Sequence, residues 1–430
     1  MSNLNLIPIG KLFDLEKGSL QSSKCTEGEY TFITAAEEWK THNEYSHECE
    51  ALIFAAAASG SLGRTHYIND KFITSDLCFI LTPKDSKKYP INLKFYHFVF
   101  NSLKDEIVKN TKSGTSKESI NQSNLRSYEI PYFEIDKQNL WIDKLVNTKS
   151  IKEDLDLELS SEQSLLKQLK QTILQEAIEG KLTEKWRVKN PDIGTAKELL
   201  EQIKTEKEKL IKEKKIRPSK PLPPINEDEI PFDIPQNWEW CRLGDISFVG
   251  TGATPLTSEP KYYNGDINWI TSSATGADFV TEAETKITEL ALKETNCQIY
   301  PIGTLVIAMY GQGKTRGQIT ELMIDSATNQ ACAAISIYLK DKALNQFIKK
   351  YFQKIYLEIR ELASGGAQPN LNMQKVKDTM IALPPLEEQK EIVATIEKLF
   401  TLCNELESEI NQNKTTVDNL IATVLKEAFI

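Results

Sequence analysis

No CxxC pair exists among the seven cysteines, and the chain has only four histidines. That spacing argues against a zinc knuckle or a disulfide framework, and reduced thiols in a cytoplasmic protein are expected instead. His42, His47 and Cys49 could each ligate a metal, but no second pair stands at structural-zinc spacing, so no metal is expected. Long apolar runs are also missing: nothing approaches the ~20 residues that a membrane span requires. The opening MSNLNLIPIG has no basic stretch before an apolar core, so neither a signal peptide nor a membrane partner is expected. Positive charge is in deficit, with 52 Lys and Arg against 61 Asp and Glu and a net charge of −9. Such a balance weighs against wrapping nucleic acid by bulk charge; it leaves room for local basic loops and for partners that neutralise phosphates.

Catalytic signatures are absent as well. There is no Asn/Asp-Pro-Pro-Tyr/Phe motif of the kind an adenine methyltransferase uses on a flipped base, and no nucleophile elbow or triad. Ala308–Thr315, AMYGQGKT, fits a relaxed phosphate-loop pattern with Lys314 in the lysine position. A phosphate loop needs a strand before it and a helix after it. The strand is expected at Leu305–Ala308, but the chain after Arg316 continues as loop or strand, which disfavours a nucleotide-binding ATPase.

What the chain does have is a repeat at a nearly constant offset of 251 residues. LKQTILQEAI from Leu169 is answered by LIATVLKEAF from Leu420. The same offset pairs Gly114 with Gly365, Asn121 with Asn372, Ile130 with Ile381, Ala57 with Ala308, Gly60 with Gly311, Ile68 with Ile319 and Ile73 with Ile324. Nearer the start, IGKL from Ile9 resembles LGDI from Leu243, and GEYTFIT from Gly28 resembles GDINWIT from Gly265. Each copy opens with a β-rich part carrying strand-like runs such as Tyr30–Thr34, Leu52–Phe54, Leu77–Leu81, Leu305–Ile307 and Ala334–Tyr338. Helical segments near Leu93–Ile107 and Leu344–Leu362 close these parts, and a long helix follows each.

The long helices carry apolar residues at alternating steps of four and three, the mark of a coiled-coil seam. In the second copy the expected seam includes Leu406, Ile410, Asn413, Val417, Leu420 and Val424; in the first, Leu155, Leu159, Glu162, Leu166, Leu169 and Ile173. A helix from Glu387 to Phe429 would reach about 65 Å. Two such stripes are best covered by each other, antiparallel, with Glu162 and Asn413 as polar register-setters near a pseudo-two-fold axis or else as plain exposed positions. The fold expected is α+β, with two repeat-related β-rich domains separated by two long antiparallel coiled-coil helices. Its divisions are 1–135, a helical region 136–217, a Pro-rich linker 218–235, 236–385 and a C-terminal helix 386–430. The helical region holds an arm without counterpart in the second copy, including a helix near Ala196–Lys215 whose charged run reads best as a solvated face.

The loops offer polar and basic side chains that could hold phosphates or read base edges. Arg64 and His66 tip one Gly-rich loop, and Gln312, Lys314, Arg316, Gln318, Asn329 and Gln330 surround its counterpart. Lys84, Lys87 and Lys88 form a basic cluster. Gln368, Asn370 and Asn372 present amides suited to adenine, or to capping the helix that follows.

Three segments resemble one family. LPPLEEQKEIV at Leu383–Val393, GKLTEKWR at Gly180–Arg187 followed by Asn190-Pro191, and IPQNWEWCRLGDI at Ile234–Ile246 are similar to specificity subunits of Type I restriction-modification systems. The resemblance extends over essentially the whole chain, including its order domain–helix–domain–helix, and is weaker in the first domain. It implies that 1–135 and 236–385 are target-recognition domains, each reading one half of an interrupted site in double-stranded DNA. The helices would space half-sites about one helical turn apart (~34–36 Å). Partners implied are two methyltransferase subunits, which would carry S-adenosylmethionine, and room for a motor-nuclease subunit; this chain would be non-catalytic and hold no cofactor. Two other tasks fit the same residues: recognition within a Type II-like enzyme, or a coiled-coil adaptor without DNA.

Overall fold

A computed structural model describes residues 5–57, 60–113, 118–311, 315–364 and 371–429, without the side chains of 357–364, 422 and 425–429. The chain divides into two units, Met1–Glu162 with Glu409–Ile430, and Gln163–Ser408.

In the first unit β1 (Leu6–Pro8) runs antiparallel to β10 (Glu129–Pro131), joining the two ends of the first β-rich head. Between them β2 (Phe13–Lys17), β3 (Tyr30–Ile33), β4 (Lys40–His42), β5 (His47–Ala55), β6 (Thr65–Thr74) and β7 (Cys78–Pro83) form one sheet of order β2-β7-β5-β6-β3-β4. A short ribbon of β8 (Lys112–Ser113) and β9 (Ser119–Ile120) completes the head. Successive residues of a strand face opposite sides. Leu52 and Phe54 of β5 therefore join Tyr96, Val99 and Phe100 of the helix Leu93–Ser102, while Ala51, Ile53 and Ala55 join Ile33, Ile68 and Phe72 on the other face. Both faces are covered, so the strand reads as a continuous apolar run rather than an alternation.

The second unit repeats the plan. β11 (Glu239–Arg242) pairs antiparallel with β21 (Met380–Leu383). β12 (Ser247–Thr251), β14 (Phe279–Val280), β17 (Leu305–Ala308), β18 (Ile319–Leu322) and β20 (Cys332–Ile337) form a sheet of order β12-β20-β17-β18-β14. β13 (Tyr263–Ile270), β15 (Thr285–Ile287), β16 (Ile299–Tyr300) and β19 (Ser326–Thr328) form another of order β15-β13-β19-β16. The run β2-β7-β5-β6 corresponds to β12-β20-β17-β18. The parallel pairing that sets Ile33 opposite Thr74 recurs with Ile270 opposite Thr328. The ten-residue β6 is divided in the second copy: its beginning is β18, and its end, as β19, pairs with β13 in the other sheet.

The turn leading into β6 and β18 gives the register of the repeat. The Gly63 N–H donates to the Ala55 carbonyl at 2.8 Å, and the Gly317 N–H to the Ala308 carbonyl at 2.8 Å. These glycines have φ of +80° and +81°, a region other residues enter only with strain. Ala55 N–H bonds back to the Arg64 carbonyl at 2.8 Å, and Ala308 N–H to the Gln318 carbonyl at 3.0 Å. The sequence pairing of Ala57 with Ala308 and Ile68 with Ile319 is thereby corrected: Ala55 matches Ala308, Gly63 matches Gly317, and Arg64 matches Gln318. Outside the sheets the original offset of 251 holds. Asn121 and its counterpart Asn372 each cap a short helix, accepting from the N–H of Asn124 at 2.7 Å and of Lys375 at 2.8 Å.

The long helices are Ile135–Ile178 and Leu386–Phe429. Lys170 donates to Asn404 at 2.9 Å and to Glu407 at 2.8 Å, whereas Thr183, beyond the first helix, reaches back to Glu388 at 2.7 Å. Positions later on one strand of the pair thus meet earlier positions on the other, so the helices are antiparallel. In the first unit Lys152 pairs with Asp418 in the same sense.

The seam is narrower than the four-three alternation predicts. Leu159, Leu166 and Ile173 are buried at every seventh position, as are Ile396, Cys403 and Ile410; Leu155, Val417 and Val424 are partly covered. Glu162, Leu169, Leu406, Asn413 and Leu420 are exposed. A single partner helix covers one edge of each stripe, and positions three residues away turn outward. Glu162 and Asn413 therefore set no register inside the seam. The cross-helix ion pairs fall to its flanks, where solvent screening leaves them little weight in stability.

After the first long helix, Thr195 and Glu198 form a capping box that starts the arm helix Ala196–Lys212, which buries Ala196, Leu199 and Ile203. The Pro-rich stretch after it is tied to the second head by buried Arg242, which donates to the Pro223 carbonyl at 3.0 Å and to Glu229 at 2.8 Å.

Candidate nucleic-acid interface

Arg64 and His66 lie at the start of β6, beside the loop that leaves β3. Trp39 of that loop donates its indole N–H to His66 Nδ1 at 3.4 Å and meets the imidazole edge-on, with centroids 5.6 Å apart. Glu37 pairs with the Arg64 guanidinium at 3.7 Å. Burial, the largest cause, and the Arg64 charge hold His66 below the usual imidazole range. His66 is accordingly neutral at pH 7, and Arg64 is the cation of this cluster. Burial, with the charge of Lys149, lowers nearby His97 to about 4.

In the second head the loop leaving β13 occupies the equivalent place. Its short 3-10 turn, Ser272–Gly276, runs past Gln318 and helps line a small cleft of about 160 Å³ with Asp278, Gln353 and Tyr356. Lys349, fully buried, fixes this loop: its ammonium donates to the Asp278 carbonyl at 2.5 Å and lies over the Phe279 ring at 3.7 Å. Burial pulls its pKa downward. Arg316 sits next to the turn glycine.

The remaining candidates separate. Asn329 and Gln330 stand at the same sheet end as Gln318, since Met309 N–H bonds the Ala331 carbonyl at 2.7 Å. Their side chains are engaged: Asn329 Oδ1 accepts from Ala331 N–H at 3.1 Å, and Gln330 Oε1 from Thr254 at 2.5 Å. Lys84, Lys87 and Lys88 follow the far end of β7, roughly 15–20 Å along the strand from Arg64. Lys84 there donates to the Gly10 carbonyl at 3.1 Å and lies 3.9 Å from Asp14. The basic cluster and the Arg64 cluster are thus two places. Asn372 serves as a helix cap. Gln312, Lys314, Gln368 and Asn370 lie outside the described residues. Among the described residues the chain after Gly317 enters β18 rather than a helix, which removes the helix N-terminus a phosphate loop needs.

His42 is buried and bonded through Nδ1 to Thr26 N–H at 3.1 Å. His47 stacks on Phe72 at 5.4 Å and faces Glu16 at 3.3 Å. Both have structural tasks. Neither Trp39 beside His66 nor the Arg64–Gln318 equivalence has a local pattern in the chain; the Gly-Arg and Gly-Gln steps at 63 and 317 are the available signal.

Two copies of one β-rich head, each followed by a long helix, define a duplicated α+β protein whose polar loop ends match between copies. The chain belongs to the Type I restriction modification DNA specificity family, whose domain model matches residues 1–159 and 235–413. It is 31% identical over 298 residues to the specificity subunit of the Escherichia coli Type I restriction enzyme EcoAI, covering 66% of this chain and 48% of that one. To the EcoEI subunit of Escherichia coli it is 28% identical, covering 58% and 42%, so these matches span about half the length of either relative or less. To the EcoDI subunit it is 23% identical over 98% of this chain and 87% of that one. Among solved structures, a chain from a study of assembly and conformational transition of the type I R-M system superposes with a TM-score of 0.70 at 14% identity, over 100% of this chain and 98% of that one. HsdS of Thermoanaerobacter tengcongensis superposes at 0.54, also at 14% identity, over 100% and 97%. These likenesses speak to the fold. Among the described residues no helix is long and apolar enough to cross a membrane.

Proposed function

We propose that this chain is the non-catalytic DNA-recognition subunit of a cytoplasmic Type I restriction-modification complex. Each head reads one half of an interrupted site. The observation that carries this reading is the recurrence of one strand plan, one glycine turn and one helix cap in two heads that differ in their loop side chains. Duplication gives two similar docking modes on DNA; loop divergence gives two different half-sites. Two methyltransferase subunits, bringing S-adenosylmethionine, dock on the chain, and a motor-nuclease subunit joins them. Within the second unit Leu165 and Leu169 of the first long helix and Leu402 and Leu406 of the second are exposed, which supports a helical partner there.

Co-expression with a Type I methyltransferase subunit from the same genome tests the reading. A complex of two methyltransferases per chain, seen by native mass spectrometry, that transfers methyl groups to DNA only when this chain is present is the expected result. No association, or methylation independent of this chain, contradicts it. Cleavage at a fixed distance from the site would favour the Type II-like alternative.

A further inference from the structure

Arg64 and Gln318 occupy one position in two copies of the same fold. Each follows a glycine at φ near +80°, and each carbonyl accepts the N–H of the alanine that ends the neighbouring strand, at 2.8 and 3.0 Å. Each also faces the loop after the strand that pairs in parallel: Arg64 meets Glu37 of that loop in the first head, and Gln318 borders Gly276 in the second. Those loops are fixed, by the Trp39–His66 contact and by Lys349 under Asp278. An equivalent, well-supported position at which the two heads carry different side chains is where a bipartite reader would place different base preferences.

The chemistry of the two side chains is specific. Among the described amide candidates, Asn329, Gln330 and Asn372 are committed to protein partners. The half-buried Gln318 carboxamide makes no hydrogen bond to another described residue and borders the small polar cleft, so its donor and acceptor are both available. Gln pairs bidentately with adenine, accepting from N6–H and donating to N7; Arg donates to guanine O6 and N7. The Arg64–Glu37 contact at 3.7 Å is long, and Glu37 is exposed, so the guanidinium can be released to a base edge.

We infer that Arg64 and Gln318 are the equivalent base-reading side chains of the two heads, Arg64 taking a guanine in one half-site and Gln318 an adenine in the other. This rests on the DNA-recognition reading above. The test is modified-base sequencing of DNA methylated by the complete complex with wild-type, Arg64→Ala or Gln318→Ala chain. Gln318→Ala should relax one adenine position in one half-site, and Arg64→Ala one guanine position in the other, each by roughly 5- to 150-fold in discrimination. If a variant methylates too little to sequence, competition between duplexes differing at one base pair reads the same quantity. A motif unchanged in both variants, or weakening spread equally over all positions, overturns the assignment while leaving the DNA-recognition reading intact. A wild-type chain that yields no bipartite motif overturns that reading itself.

Discussion

Glu388, at the start of the second long helix, is fully buried and has three donors: the Thr183 hydroxyl at 2.7 Å, the Trp238 indole N–H at 2.8 Å, and the Arg187 guanidinium. Arg187 also donates to the Gly180 carbonyl at 2.9 Å. One carboxylate therefore binds the segment after the first long helix, the first strand region of the second head and the second long helix. Glu388→Ala leaves a largely buried guanidinium unpaired and two further donors without an acceptor. Breaking a buried pair costs about 3–5 kcal/mol, and each stranded donor about 1–3 kcal/mol, though not additively. A loss of about 4 kcal/mol is expected, which for a unit of this size lowers the melting temperature by roughly 8–16 °C. Differential scanning calorimetry of the full chain measures it on the transition of the second unit. The double variant Arg187→Ala/Glu388→Ala should lose less than the sum of the single variants, because each single change strands the other partner. A shift of only ~2 °C for Glu388→Ala, with additive effects in the double variant, would refute the buried network.

Two further outcomes are expected. His97, lowered to about 4 mainly by burial, binds its proton more weakly folded than unfolded, so stability falls as pH drops from about 6.5 to about 4. The first unit should lose about 3 kcal/mol over that interval, and His97→Phe should flatten the profile; equal pH slopes in both proteins would contradict this. Asn121→Ala and Asn372→Ala should each cost about 1 kcal/mol in denaturant melts, because each removes the same cap. Gly at either position should cost only a few tenths, and an Ala effect no larger than the Gly effect would speak against the capping role.

The duplication, both long helices and the strands at Tyr30, Leu52 and Leu305 were legible in the sequence, because burial on two faces or on one stripe leaves an apolar pattern. The 251 offset survives in the caps and long helices, but an insertion within the sheet moves the local match, and a periodicity search at one offset aligns residues such as Ile68 and Ile319 out of register. The pattern also told how wide the apolar stripe of each helix is, not how much of it one partner covers; that left Glu162 and Asn413 misplaced. Contacts such as Arg187 with Glu388, far apart in the chain, have no local signature at all. The same holds for the basic cluster at Lys84–Lys88: composition marked it beside Arg64 as a candidate, and only strand direction separates the two.

If two copies of one head read two parts of one DNA site, the modification pattern on DNA must be bipartite. Modified-base sequencing of DNA methylated by the wild-type complex reads that pattern. Two short defined half-sites are expected, separated by a gap of fixed length and free sequence, with a modified adenine in each half. A single uninterrupted motif, or a gap of variable length, would contradict it.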